Sequence, residues 1–324
     1  MKREKDNCSL PLVSVIIPAH NRKEQLIRAI NCVLQQDYPS IELIVIDDGS
    51  KCSLREAKEL AERNGQKFVR QTWQGPAAAR NHGAKLSSGK WLAFLDSDDL
   101  WKSTKISEQI SFQRANKDYL ISQCEELWIK NGRQISKKKY HAMPNGEAFY
   151  PSLKRCVISP SSVILARDLF KEIGGFDERF IVCEDYELWL RITATHYVGR
   201  INEALVTKFA GHADQLSRAV PALDRYRVAA LLKLLAEPPT RIILTEKQIT
   251  CSLHEIGKKI DILLAGVKKR DYTNAELYEK ISNSVLNLHK YDYRKECDRL
   301  FNLLITKLSI KKQIDRTGAS HPFY

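Results

Sequence analysis

Three apolar runs in the first hundred residues each end on a polar cluster, and no other feature constrains the fold as tightly. Leu12 to Ile17 runs into Pro18-Ala19-His20-Asn21, Ile41 to Ile46 into Asp47-Asp48-Gly49-Ser50, and Trp91 to Leu95 into Asp96-Ser97-Asp98-Asp99. Runs this short and nearly all apolar, broken only by Ser14 and Glu42, predict strands covered on both faces. Helical signals lie between them. Asn21 is placed to cap a helix running to about Gln36, ahead of Pro39; a second helix spans about Leu54 to Arg63; a third starts at Pro76 and would end at Gly89. A short strand falls near Phe68. Such alternation predicts an α/β fold, a Rossmann-like, mostly parallel sheet flanked by helices. Right-handed crossovers then bring the carboxyl ends of the strands to one edge, where ligands bind.

Beyond about residue 118 the pattern is mixed. Asn131-Gly132 reads as a hairpin turn between Glu125–Lys130 and Arg133–Lys138, and Glu184 to Thr195 as a helix with Leu188, Trp189 and Ile192 on one side. From about 219 the texture changes to helices without strands, at 246–265, 273–289 and 292–310, with a break at Pro238-Pro239. The expected division is therefore a domain over 1–218 and a helical extension over 219–324. The chain has 52 Lys and Arg against 39 Asp and Glu, a formal charge of +13. Of this excess +6 lies before residue 219 and +7 after it, so the extension is about twice as basic per residue. Val228, Leu231, Leu232 and Leu235 recur at helical spacing beside Arg225, Arg227 and Lys233. That face is read first as packing on the preceding domain or on a second copy, and second as contact with an anionic membrane.

Other classes are excluded early. The eight cysteines lack C-x-x-C spacing, which argues against a structural zinc site or a dense disulfide framework and fits a reducing compartment. Lys2, Arg3 and Lys5 before an apolar run mimic a signal peptide, but no small-x-small cleavage site follows, and a buried strand is the better reading. No stretch reaches the roughly 18 apolar residues that a membrane span needs. The expected location is cytoplasmic, soluble or peripheral at the inner face of the membrane. No nucleic-acid-binding motif accompanies the charge, so no nucleic-acid partner is expected. No G-x-G-x-x-G follows the first strand, which disfavours a dinucleotide oxidoreductase.

The chemistry-bearing residues cluster at the strand ends. Asp47 and Asp48 can accept from a base or a ribose, or form a plain turn with Gly49 and Ser50. Three carboxylates within Asp96-Ser97-Asp98-Asp99 repel unless a cation neutralises them, and hard oxygen donors suit Mg²⁺ or Mn²⁺; the alternative is a solvated helix cap. Gly75-Pro76-Ala77-Ala78-Ala79-Arg80 opens a helix with small side chains and one guanidinium. Glu184-Asp185 opens another helix, either as a cap or as a general base.

Taken together these strings resemble the family 2 glycosyltransferases, which have the GT-A fold. The resemblance is carried by Val13 to Arg22, Glu42 to Ser50, Gly75 with Ala79 to Gly83, Phe94 to Asp99, Gly174 to Asp177, and Glu184 to Arg191, over roughly residues 10 to 218. It implies a nucleotide-sugar-binding catalytic domain over 1–218. By resemblance, Pro18 and Asn21 lie under the nucleotide, Asp48 reads the base with Asp47 beside it, and Arg80 contacts the nucleotide. Asp96 faces the ribose and Asp98 the metal, Mn²⁺ or Mg²⁺, with Asp99 as an alternative ligand. His212 would complete the metal shell. Asp185 is the expected catalytic base and Glu184 the second choice. Phe176 either walls the acceptor side or anchors the core. The implied activity is inverting transfer of one sugar from a nucleotide-diphosphate sugar, UDP favoured, to a carbohydrate or lipid-linked acceptor in cell-surface polysaccharide or glycolipid assembly. The competing reading is a non-catalytic nucleotide-sugar-binding or scaffold protein of the same fold.

Overall fold

The computed structural model of the protein describes residues 10–136, 142–211, 222–236, 243–270, 275–286 and 293–316. In chain order the elements begin β1 (Val13–Ala19), α1 (Lys23–Leu34), β2 (Ile41–Asp48), α2 (Arg55–Arg63), β3 (Lys67–Gln71), α3 (Pro76–Leu86), β4 (Trp91–Phe94), β5 (Leu100–Trp101) and α4 (Lys105–Ala115). There follow β6 (Ile121–Lys130), β7 (Arg133–Ile135), α5 (Phe149–Lys154), β8 (Val163–Ala166), α6 (Arg167–Glu172), α7 (Glu184–Thr193) and β9 (Gly199–Ala210). The helices after them are α8 (Asp224–Ala236), α9 (Glu246–Arg270), α10 (Ala275–Leu286) and α11 (Tyr293–Arg316).

By its internal packing the chain divides into two compact units. The first comprises Met1–Ser136, Pro160–Glu172 and Arg200–Phe209; the second comprises Lys137–Ser159, Ile173–Gly199 and Ala210–Tyr324. The first holds the sheet, in the order β3-β2-β1-β4-β8-β6-β9-β5 with β7 paired to β6. β1 lies parallel to β2 and β4, and β2 parallel to β3. β8 is antiparallel to β4 and β6, β5 to β9, and β7 to β6. The sheet is thus mixed: the parallel part is where β-α-β alternation predicts it, and the antiparallel part follows the irregular stretch beyond residue 118. Val13, Val15, Ile16, Ile17, Ile44, Val45, Ile46, Leu92, Ala93 and Phe94 are all fully buried, as strands covered on both faces require.

Local turns explain the loops at the sheet edge. The helix after β1 starts one residue later than expected: Arg22 occupies the N-cap position without a side-chain cap. Asn21 takes φ 54° instead, a conformation that Asn tolerates because its short amide bonds locally. Its Oδ1 accepts from the Lys51 backbone N–H at 2.7 Å, tying the β1 loop to the β2 loop. Gly89 does not end α3, which stops at Leu86; it lies against β1, where a Cβ would stand 2.5 Å from Ser14 Oγ. Asn131 (φ 50°) and Gly132 (φ 73°) form the hairpin turn as predicted, with both central residues left-handed.

The second unit is helical. Tyr186 of α7 donates to the Leu153 carbonyl of α5 at 2.7 Å. Phe180 stacks on Phe301 of α11 with ring centroids 6.4 Å apart. In α8, Tyr226, Val228, Ala229, Ala230, Leu231, Leu232, Leu234 and Leu235 are each at most 1% exposed. These apolar residues are buried on more than one side of the helix, which belongs to a core, and each fully buried Leu contributes about 2 kcal/mol as an upper figure. The residues of the amphipathic face read from the sequence therefore lie inside this unit, and α8 offers none of them to a membrane.

Candidate active site

In the first unit the carboxyl ends of β1, β2 and β4 lie side by side, with Ala19 opposite Asp47 and Ile16 opposite Phe94. This places the loops after Ala19, Asp48 and Phe94 along one edge of the parallel strands. Asp48 is 3% exposed. Its Oδ1 accepts from Gln71 Nε2 and from the Gln74 N–H, and its Oδ2 from the Gly75 N–H, each at 2.8 Å. A carboxylate has about four acceptor positions, so roughly one remains on Oδ2 for a ligand. Gln71 is itself oriented: its Oε1 accepts from His82 Nδ1 at 2.7 Å, which frees its amide N–H for Asp48. Asp47, 1% exposed, accepts the Ser50 N–H at 2.9 Å and faces Arg70 at 3.5 Å. Both aspartates thus hold their loops. Gly49 sits at φ 70°, and a Cβ there would stand 2.6 Å from the Trp73 backbone nitrogen, so this turn needs glycine. His20 donates from Nδ1 to the Asp48 carbonyl at 2.7 Å and accepts the Asn21 amide on Nε2 at 2.8 Å. Pro18 is the penultimate residue of β1.

The acidic triplet after β4 carries a cation on each member. Arg80 of α3 pairs with Asp96 at 2.7 Å, Arg22 with Asp98, and Lys208 of β9 with Asp99 at 3.3 Å. The repulsion expected from three neighbouring carboxylates is thus answered by three protein cations. Burial opposes charge on Asp96, but Arg80 and Lys208 outweigh it and lower its pKa. Burial, with Asp96 and Asp98 as like charges, pushes the Asp99 carboxyl up to about 7 despite Lys208. Burial also opposes charge on Lys208, yet Asp99, Glu126 and Asp96 overcome it and raise its pKa.

The triplet is not uniform toward solvent. Side-chain exposure is 26% for Asp96 and 18% for Asp98, but 3% for Asp99, whose Oδ2 accepts from Ser161 Oγ at 2.6 Å. Ser161 Oγ also accepts the Asp96 N–H at 3.1 Å. Asp99 therefore faces inward, and Asp96 and Asp98 are the members placed to meet a ligand. Among the described residues no three His, Cys, Asp or Glu gather as a metal cage. One or two carboxylates completed by substrate phosphates and water is the usual Mg²⁺ arrangement, and this pair fits that requirement. His212 lies outside the described residues.

In the second unit α7 carries Glu184 and Asp185 in its first turn. Cys183, just before them, holds φ 60°, a left-handed value that a non-glycine residue adopts at a cost of about 1 kcal/mol or more. Asp185 is half-buried, and its Oδ2 accepts from the Cys156 thiol at 3.3 Å while Oδ1 accepts the Tyr186 N–H at 2.7 Å. Glu184 is 7% exposed. Phe176 is 2% exposed and meets Trp189 edge-on with centroids 6.4 Å apart, the position of a core anchor. Its neighbour Asp177 is bound by Arg179 and Lys233.

Arg22, Gln71, Ser161, Lys208 and Cys156 are the residues that sequence reasoning did not assign to the site. Of these, Arg22 alone stood within a string that carried the resemblance, at the end of Val13 to Arg22.

Comparison with known proteins agrees with this architecture. The sequence matches the profile described as Glycosyl transferase family 2 over residues 14–174. Two Escherichia coli proteins are each 33% identical. One, named UDP-Glc:alpha-D-GlcNAc-diphosphoundecaprenol beta-1,3-glucosyltransferase WfgD, aligns over 59% of this chain and 73% of its own length. The other, the glucosyltransferase WfaP, whose name gives the same donor, acceptor and linkage, aligns over 64% of this chain and 80% of its own length. The chain belongs to glycosyltransferase family 2. It is also 34% identical to an uncharacterized glycosyltransferase of Rickettsia conorii, but it spans only 32% of that longer protein. Among solved structures, residues 1–349 of S. aureus TarS in complex with UDP superimpose with TM-score 0.61 at 16% identity, over 97% of this chain and 94% of that one. The Pyrobaculum calidifontis mannosyltransferase PcManGT, in complex with GDP-Man and Mn²⁺, gives TM-score 0.54 at 16% identity over 94% and 88%. The fold is GT-A, with a carboxy-terminal helical part.

Proposed function

We propose that this chain is a metal-dependent inverting glycosyltransferase that moves one sugar from a UDP-sugar to an acceptor hydroxyl in cell-surface polysaccharide or glycolipid assembly. The observation that carries the reading is the edge of the parallel strands. Asp48 retains an acceptor position beside the Asp96 and Asp98 loop, and Arg80 and Arg22 are held on those two carboxylates. The UDP-glucose named for the two Escherichia coli relatives, and their diphosphoundecaprenol acceptors, support the donor and acceptor classes. We further assign residues 1–218 to catalysis and the protein to the cytoplasm, soluble or peripheral at the inner face of the membrane. No helix among the described residues is long and apolar enough to cross a membrane.

The residues divide the work as follows. Asp48 takes a donor from the base, and Pro18 and Asn21 shape the loop beneath it. Asp96 and Asp98 would hold Mn²⁺ or Mg²⁺, which supplies charge stabilisation for the departing diphosphate. Arg80 offers a guanidinium to negative charge as the leaving group develops it. Asp185 takes the acceptor proton while the hydroxyl attacks the anomeric carbon from the opposite face, a single displacement with inversion. The Cys156 thiol and the Tyr186 N–H fix the orientation of that carboxylate. Incubating the full chain with a panel of nucleotide sugars, with and without Mn²⁺, is expected to give metal-dependent nucleotide release from one UDP-sugar. Asp98→Ala and Asp185→Ala are each expected to lower turnover by at least about 100-fold. Folded variants with full activity would disprove the assignment, and loss of activity with retained nucleotide binding in the wild-type chain would favour the scaffold reading.

A further inference from the structure

We propose that Lys233, on the carboxy-terminal helix α8, is a positioning residue for the α7 helix that bears Asp185. This rests on the reading of Asp185 as the base. The Lys233 ammonium lies 2.7 Å from Asp177 Oδ2 and 2.7 Å from Glu187 Oε1. Glu187 stands two residues beyond Asp185 on α7, and Asp177 lies in the Gly174-Gly175-Phe176-Asp177 loop. The other ionic contacts in this cluster are local in sequence. Arg191 grips Glu187 within α7 and donates to the Gly175 carbonyl at 2.7 Å, and Arg179 grips Asp177 two residues away. Lys233 is the cation that joins helix and loop to α8. Arg179 lies over the Phe301 ring of α11 at 4.7 Å, so a second carboxy-terminal helix braces the same loop. Burial opposes charge on Asp177, but Arg179 and Lys233 overcome it and hold its carboxyl well below the usual range.

The charge count makes the proposal testable. Two carboxylates face three cations, so neutralising Lys233 leaves each acid with its arginine while removing the link to α8. The full-length Lys233→Met, Lys233→Arg and Asp185→Asn variants would be compared by UDP-glucose turnover, UDP binding and the rate of Cys156 alkylation by iodoacetamide read by peptide mass. For Lys233→Met, kcat is expected to fall by about 100-fold, as a displaced base would give, with KM and UDP affinity unchanged. Cys156, bonded to Asp185, should alkylate severalfold faster, and Lys233→Arg should restore most of both properties. Wild-type kcat together with wild-type alkylation in Lys233→Met would overturn the proposal. If the Met variant does not fold, Asp177→Asn removes one of the two carboxylates and is judged by the same readouts. Full turnover by Asp185→Asn would instead remove the base assignment. The alkylation rate then decides the role of Lys233, as it does if UDP-glucose is not the donor.

Discussion

Lys105 illustrates how much a single residue can carry at the back of a site. It is fully buried in α4; its ammonium donates to Gln109 Oε1 at 2.5 Å and lies 3.9 Å from the centre of the Trp101 ring. Trp101 in turn donates to the carbonyl of Ser161, the residue that binds Asp99. Burial lowers the Lys105 pKa from 10.5 to about 8. Between those values the unfolded chain keeps the proton and the folded chain has lost it, so stability rises with pH across that window. The rise attributable to this group is about 3 kcal/mol, and most of it should appear in the difference between wild type and Lys105→Met when urea unfolding at pH 7.5 and 10 is compared, because the variant lacks it. A flat difference would mean that the amine is solvated. None of this was legible beforehand: Lys105 reads as an ordinary surface lysine, because its burial depends on partners far along the chain. The same holds for Lys208 on Asp99. Asp96, Asp98 and Asp185 were legible because each stands directly at the end of an apolar strand or the start of a helix.

At the scale of elements, α3 is pressed against β1 at Gly83, where an added Cβ would stand 2.4 Å from Ile16 Cγ2. Ile16 is fully buried and β-branched, so it cannot swing aside. Gly83→Ala is expected to cost about 1–3 kcal/mol in urea unfolding, despite the better helix propensity of Ala. An unchanged or increased stability would show that α3 can shift. Strands and helices with a clean period were readable to within a residue or two, as β1, β2, α2 and α7 attest. Element ends were read less well where tertiary contacts decide them. Asn21 anchors the neighbouring loop instead of capping α1, and Gly89 serves the close approach of the backbone to Ser14 instead of ending α3. The antiparallel strands β8 and β9 lacked a legible pairing, since their partners lie tens of residues away.

For the whole molecule, the second compact unit draws most of its helices from residues after 219 and the remainder from 137–159 and 173–199. Truncation at residue 218 would expose the α7 surfaces that α8 covers and strip Phe180 of Phe301. The truncated chain is expected to be insoluble, or to lose one of two thermal unfolding transitions; a soluble fragment with the full melting profile would contradict the packing described. The extension looked separable from the sequence because its texture changes at 219, a composition signal that cannot register which earlier segments the new helices enclose. The division of the chain also sets an order of events on the ribosome. The sheet lacks β9 until Phe209 has emerged, so its pairing with β5 joins residues about a hundred positions apart. The helical unit closes only when α11 arrives to meet Phe180, with Phe301 following it by about 120 positions. Both units therefore depend on late-arriving segments, a high contact order that slows folding and prolongs the exposure of apolar surface in the nascent chain.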